Sequence, residues 1–175
     1  MRKAAGATSA AVRDEVRLSR LPPADDLEVA YLHAGHIYVS RVPCRVTTIL
    51  GSCVAVGLWD PVTRVGGLNH FLLPHWTENG LSSPRFGSVA VRKLIDALVE
   101  AGGRKKQFKA KLFGGACVLQ AFQRGGGHLG KRNVQVAREV LLEEGIPVCA
   151  EDVEGERGRK LIFQTHDGTA WVRSL

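Results

Sequence analysis

The chain has 175 residues, of which 45% are hydrophobic and 23% charged, a length and balance that suit one folded domain and exclude a wholly disordered chain. Its longest nearly apolar stretch, Ile49 to Trp59, is interrupted by Gly51, Ser52 and Gly57 and is too short to cross a bilayer as a helix. Four widely spaced cysteines with no C-x-x-C pair argue against a zinc knuckle or a dense disulfide framework, and a net charge of +7 favours an acidic partner.

Residues 1–26 read as a flexible N-terminal extension, closed by Leu21-Pro22-Pro23-Ala24-Asp25-Asp26. The opening residues lack the leucine-rich core of a signal peptide, and Arg13, Asp14, Glu15 and Arg17 follow at once, so a cytoplasmic protein is expected. A single domain over 27–175 follows. Tyr31 to Val39 predicts a strand. Val46 to Trp59 is rich in β-branched residues and broken at Gly51-Ser52-Cys53, and Val65 to Leu72 predicts a further strand beyond the Asp60-Pro61 turn. From Phe86 to Ala101 the period lengthens: Val91, Leu94, Ile95 and Leu98 mark one face of a helix that ends at Gly102-Gly103. Phe108, Ala110 and Leu112 alternate with Lys109 and Lys111 as a half-buried strand. A second helix is expected over Asn133 to Glu144, then strands over Pro147 to Asp152, Lys160 to Thr165 and Trp171 to Arg173. The sum is an α+β domain with no internal repeat.

The chemistry concentrates in two stretches. In Thr47-Thr48-Ile49-Leu50-Gly51-Ser52-Cys53-Val54 a cysteine follows Gly-Ser between two β-rich runs. Glycine there permits a kink and a close substrate approach, and freed backbone N–H groups at Gly51, Ser52 or Cys53 can hold an oxyanion. A thiol is a strong nucleophile once a base or a positive field stabilises its thiolate. In Gly66-Gly67-Leu68-Asn69-His70-Phe71 a histidine lies on an apolar strand; beside a thiol it is the base that acyl transfer needs. The bland alternatives are a cysteine filling core volume at a bulge and a histidine satisfied within the core. Trp59 and Trp76 flank the stretch and read as core packing; Arg132 and Asn133 read as residues of a helix start.

Several separated motifs together resemble one family. T-x-x-x-G-S-C-V-A-V-x-x-x-D-P, then G-G-x-N-H-F-x-L-P, Ala110 to Ala116, Gly130 to Val134, Ala150-Glu151-Asp152 and Gly155 to Lys160 resemble CheD, the chemoreceptor glutamine deamidases, over roughly Leu32 to Val172. The resemblance implies the layered α/β/β sandwich of a cysteine hydrolase fold shared with deamidating toxins. It implies Cys53 as nucleophile, His70 as base and Thr47, six residues before the cysteine, as the third polar member. Ser52, Gly51 and Asn69 are candidates for the oxyanion or substrate pocket beside them. The implied activity is conversion of glutamine side chains of methyl-accepting chemotaxis receptors to glutamate, with release of ammonia. No cofactor and no metal is implied. A CheC-like phosphatase is a further partner that the family allows, and a monomer is expected.

Other classes carry less. An adaptor that binds receptors or a CheC-like phosphatase without turnover has no need of Thr47, Cys53 and His70. Gly125-Gly126-Gly127-His128-Leu129-Gly130 matches a dinucleotide fingerprint, but Cys117 to Arg124 separates it from the preceding strand. Nucleic-acid binding rests on charge alone. The pairs His33/His36 and His70/His75 lack the partners of a zinc pattern.

Overall fold

A computed structural model describes residues 16–18, 26–78, 80–118 and 129–175. Among these residues ten strands and two α-helices alternate in an α+β arrangement. The strands are β1 (Val16–Leu18), β2 (Glu28–Tyr31), β3 (His36–Ser40), β4 (Cys44–Leu50), β5 (Val54–Trp59) and β6 (Gly66–His70), then β7 (Lys109–Gly114), β8 (Val148–Val153), β9 (Arg159–Gln164) and β10 (Ala170–Ser174); the helices are α1 (Gly87–Glu100) and α2 (Leu129–Glu143). Two mixed five-stranded sheets result. Sheet I runs β1-β10-β9-β4-β2 and sheet II runs β3-β6-β5-β7-β8.

The strand period explains the layering. β4 buries Cys44, Val46, Thr48 and Leu50 on one face, while Thr47 is half-buried and Ile49 exposed on the other. Cys44, Val46 and Leu50 join Ala55, Trp59, Leu68, Phe113, Leu161 and Phe163 in a core between the two sheets. β5 and β6, buried at every position, have a second covered face. Val54, Val56 and Leu58 meet Leu94 and Leu98 of α1 and Val134 and Ala137 of α2 in a second core. Sheet II is therefore the middle layer, with helices on one side and sheet I on the other. Its central strands β5 and β6 are buried on both faces because both are covered.

The two sheets approach closely at Gly66, where a Cβ would lie 1.9 Å from the carbonyl oxygen of Thr165. Only glycine admits that spacing. Asp60, fully buried, holds the turn between β5 and β6 by accepting from the N–H groups of Val62, Thr63 and Arg104 at 2.8, 3.2 and 2.9 Å.

Three expectations shift. The single strand expected over Tyr31 to Val39 is two strands in different sheets, because Leu32 to Gly35 carries the chain from β2 in sheet I to β3 in sheet II; an extended run does not reveal which sheet each half joins. α2 is described from Leu129, four residues before Asn133, with Gly130 packed against the Gly115 carbonyl in its first turn. Within the expected N-terminal extension, Val16–Leu18 pairs in parallel with β10; the rest of 1–25 lies outside the described residues, as do Gly125 to His128 of the dinucleotide-like motif.

Candidate active site

Cys53 sits where the chain leaves one sheet for the other. β4 ends at Leu50 in sheet I and β5 starts at Val54 in sheet II, so Gly51-Ser52-Cys53 is the crossover. Both of its flanks are tied to the end of β7: the Gly115 N–H donates to the Cys53 carbonyl and the Ala116 N–H to the Gly51 carbonyl, each at 2.8 Å. Cys53 is half-buried. It packs against the inter-sheet core on one side and lines an open cavity of about 750 Å³ on the other. Ser52, Leu72, Leu81, Arg85 and Leu129 share that lining.

His70 lies on the next strand. Val54 and Phe71 exchange backbone hydrogen bonds of 3.1 and 2.9 Å, and the same register pairs Gly57 with Leu68. Continued inward by one residue, it sets Ala55 opposite His70, so His70 faces sheet I, the side on which Cys53 also packs.

The imidazole is oriented from sheet I. Thr48 Oγ1 lies 2.8 Å from His70 Nδ1, and the same hydroxyl donates to the Leu32 carbonyl at 2.8 Å. A hydroxyl has one proton to give, so the oxygen accepts from Nδ1–H and the lone pair is left on Nε2. Nε2 is buried and has no hydrogen-bond partner in this structure. The Gly35 N–H donates to the His70 carbonyl at 2.7 Å, so the Leu32–Gly35 crossover holds the histidine from two directions.

Burial disfavours charge on both side chains. Burial pushes the His70 pKa down to about 4, opposed by the Leu32 carbonyl and reinforced by the nearby His33. Burial pushes the Cys53 thiol up, with its own backbone N–H pulling in the opposite direction.

The remaining expected residues are placed as follows. Thr47 does not meet His70. It points to the opposite face of β4, and its neighbour Thr48 takes the contact, since successive side chains on a strand alternate. Ser52 lines the cavity; Gly51 lies on the crossover with its carbonyl engaged. Asn69 is not at the pocket. It is fully buried, its Oδ1 accepting from the Val56 N–H at 2.8 Å, where it fills a break in the β5–β6 ladder. Trp59 is core, edge-on to Phe163 with ring centroids 6.3 Å apart. Two roles escaped the sequence reading: that of Thr48, which the alternation of Val46, Thr48 and Leu50 could have signalled, and that of Asn133, read as a helix-start residue, whose amide reaches the Ser52 carbonyl at 3.0 Å from a helix distant in sequence. Among the described residues no cluster of three or more His, Cys, Asp or Glu is arranged to hold a metal ion, and no helix is long and apolar enough to cross a membrane.

Comparison with known proteins gives consistent relatives. The family profile described as CheD chemotactic sensory transduction matches residues 72–174. A probable chemoreceptor glutamine deamidase CheD 1 of Anaeromyxobacter dehalogenans is 57% identical over 145 residues, 83% of this chain and 84% of that protein. Probable chemoreceptor glutamine deamidases CheD of Sulfurimonas denitrificans and Trichlorobacter lovleyi are 38% and 42% identical, covering 85% and 79% of this chain and 95% and 85% of theirs.

Proposed function

Because the chain belongs to the CheD family, we propose that it is a protein-glutamine deamidase acting on chemotaxis receptors, with Cys53 as nucleophile and His70 as general base. Membership supports glutamine deamidase activity in general. One observation carries it: Cys53 faces an open cavity and also packs against the core that holds His70, whose only free nitrogen is an unpartnered lone pair. A buried acceptor with no donor is costly, and a thiol proton satisfies it when the sulfur turns inward. Catalytic hydrogen bonds are often long before substrate binds. The α+β fold, with two mixed sheets and two helices, is consistent with the one the family resemblance implies.

The reaction proceeds from a neutral pair. His70 Nε2 takes the Cys53 proton as the sulfur bonds to the glutamine side-chain carbonyl carbon, and the carbonyl electrons move onto oxygen. Collapse of that adduct expels ammonia, protonated by His70, and leaves a thioester. Water, deprotonated by His70, adds to the thioester; the thiolate leaves and regains the proton, and the product is glutamate. Thr48 holds Nδ1–H throughout, so Nε2 remains the reactive nitrogen. The receptor substrate is carried over from the names of the relatives and is supported by the net charge of +7, which suits an acidic target.

The deciding experiment is mass spectrometry of receptor cytoplasmic domains after incubation with the purified protein. The expected result is replacement of amide by carboxylate at particular glutamines, with ammonia released, and complete loss of both with Cys53→Ala. A Cys53→Ala protein that turns over at the wild-type rate would refute the assignment, and a wild-type chain that binds receptor without changing its mass would make it an adaptor.

A further inference from the structure

Asn133, the fifth residue of α2, is fully buried, and its Nδ2 donates to two backbone carbonyls, Ser52 at 3.0 Å and Leu72 at 2.9 Å. Both amide hydrogens are thereby used. One acceptor immediately precedes the candidate nucleophile and the other lies two residues beyond the candidate base. This is the point at which β5 and the end of β6 part. Past the Val54–Phe71 bridge, the N–H groups of Leu72 and Leu73 turn away and donate to the Arg85 carbonyl at 2.9 and 3.0 Å, and the cavity opens in the gap. Asn133 occupies the apex of that wedge.

The helix is held there by close packing of its own. A Cβ on Gly130 would lie 2.3 Å from the Gly115 carbonyl oxygen, and one on Gly115 would lie 2.5 Å from Val134 Cγ2. Gly115 also donates to the Cys53 carbonyl. The first turn of α2, the end of β7 and the nucleophile crossover therefore form one rigid junction. The motifs Gly114-Gly115-Ala116 and Gly130-Lys131-Arg132-Asn133-Val134, which the reaction steps do not use, supply it. A simple helix-start role for Asn133, expected from sequence, does not fit a side chain buried against two distant carbonyls.

Peptide geometry gives the contact a chemical consequence. The Ser52 carbonyl and the Cys53 N–H are opposite ends of one planar trans unit and point in opposite directions. Fixing the carbonyl fixes the N–H. We propose that Asn133 is a positioning residue: by holding the Ser52 carbonyl it aims the Cys53 N–H at the oxygen that becomes negative when the substrate amide is attacked. Donors that are in place before charge develops need no reorganisation in the transition state. The inference rests on the reading of Cys53 as nucleophile.

The test compares the full-length wild type with Asn133→Ala, Asn133→Asp and Cys53→Ala. The readouts are kcat and KM for ammonia release from a receptor cytoplasmic domain, the rate of Cys53 alkylation by iodoacetamide, and the thermal midpoint. In Asn133→Ala kcat falls about 10²-fold, the scale of one lost oxyanion donor, while KM and the alkylation rate stay within about threefold. In Asn133→Asp a protonated carboxyl recovers one donor, so its kcat relative to wild type rises as pH is lowered. A folded Asn133→Ala with wild-type kcat overturns the inference, as does a parallel fall in kcat and alkylation, which would mark a collapsed site. Should Asn133→Ala not fold, a pH-independent ratio for Asn133→Asp overturns it. Activity retained in Cys53→Ala would instead remove the nucleophile reading itself, whereas loss in Cys53→Ala alone leaves that reading standing and removes this one.

Discussion

The hydroxyl of Thr48 gives its only proton to the Leu32 carbonyl, which obliges its oxygen to accept from His70 Nδ1. That single constraint selects the imidazole tautomer. Thr47, one residue away, has no comparable access because its side chain leaves the strand on the other face. The expected outcome of mutagenesis is correspondingly asymmetric. Thr48→Val lowers kcat for deamidation by about 10²-fold, the lower range of a general base's contribution, and Thr48→Ser restores most of it. Thr47→Val stays near the wild-type rate. Steady-state kinetics on the three variants decide the matter, and equal losses at positions 47 and 48 would contradict the geometry.

At the scale of elements, the site is made by connections that change sheets. The 51–53 crossover and the 32–35 crossover both pass between sheet I and sheet II, and they deliver Cys53 and the clasp on His70 to the same inter-sheet space. β6 must therefore lie close to sheet I. Gly66 permits this, with the Thr165 carbonyl where a Cβ would be. Gly66→Ala has no flexible side chain to displace, only backbone, and the expected cost is about 3 kcal/mol, the upper range for overpacking. Urea denaturation measures it; a loss below the noise of that measurement would mean that the sheets can separate freely at this end.

For the molecule as a whole, a histidine sealed between two sheets links folding to pH. The folded-state pKa of His70 is about 4 against an ordinary 6.5, so the unfolded chain takes up a proton that the folded chain refuses. Stability from this group is complete above pH 6.5 and is lost as pH falls toward 4. The shift corresponds to at most about 3 kcal/mol. Denaturant titrations of wild type and His70→Gln across that window read the difference directly: the wild type loses more stability on acidification. Parallel curves would show that other groups account for the whole acid response. Carboxylates such as Asp60, present in both proteins, cancel in the comparison.

Periodicity in the sequence reveals α1 and the body of α2, and β-branched composition reveals most strands, because local backbone preference and one-sided burial leave a direct trace in residue order. The G-S-C and N-H-F stretches mark Cys53 and His70 as candidates only together with the other motifs that resemble the CheD family. Thr48 over Thr47, the bracing role of Asn69 and the reach of Asn133 across 81 residues to Ser52 were decided only by tertiary structure. Each depends on which strand faces which, and on where the chain crosses between sheets. Those relations arise from contacts distant in sequence, and no local pattern encodes a partner that far away.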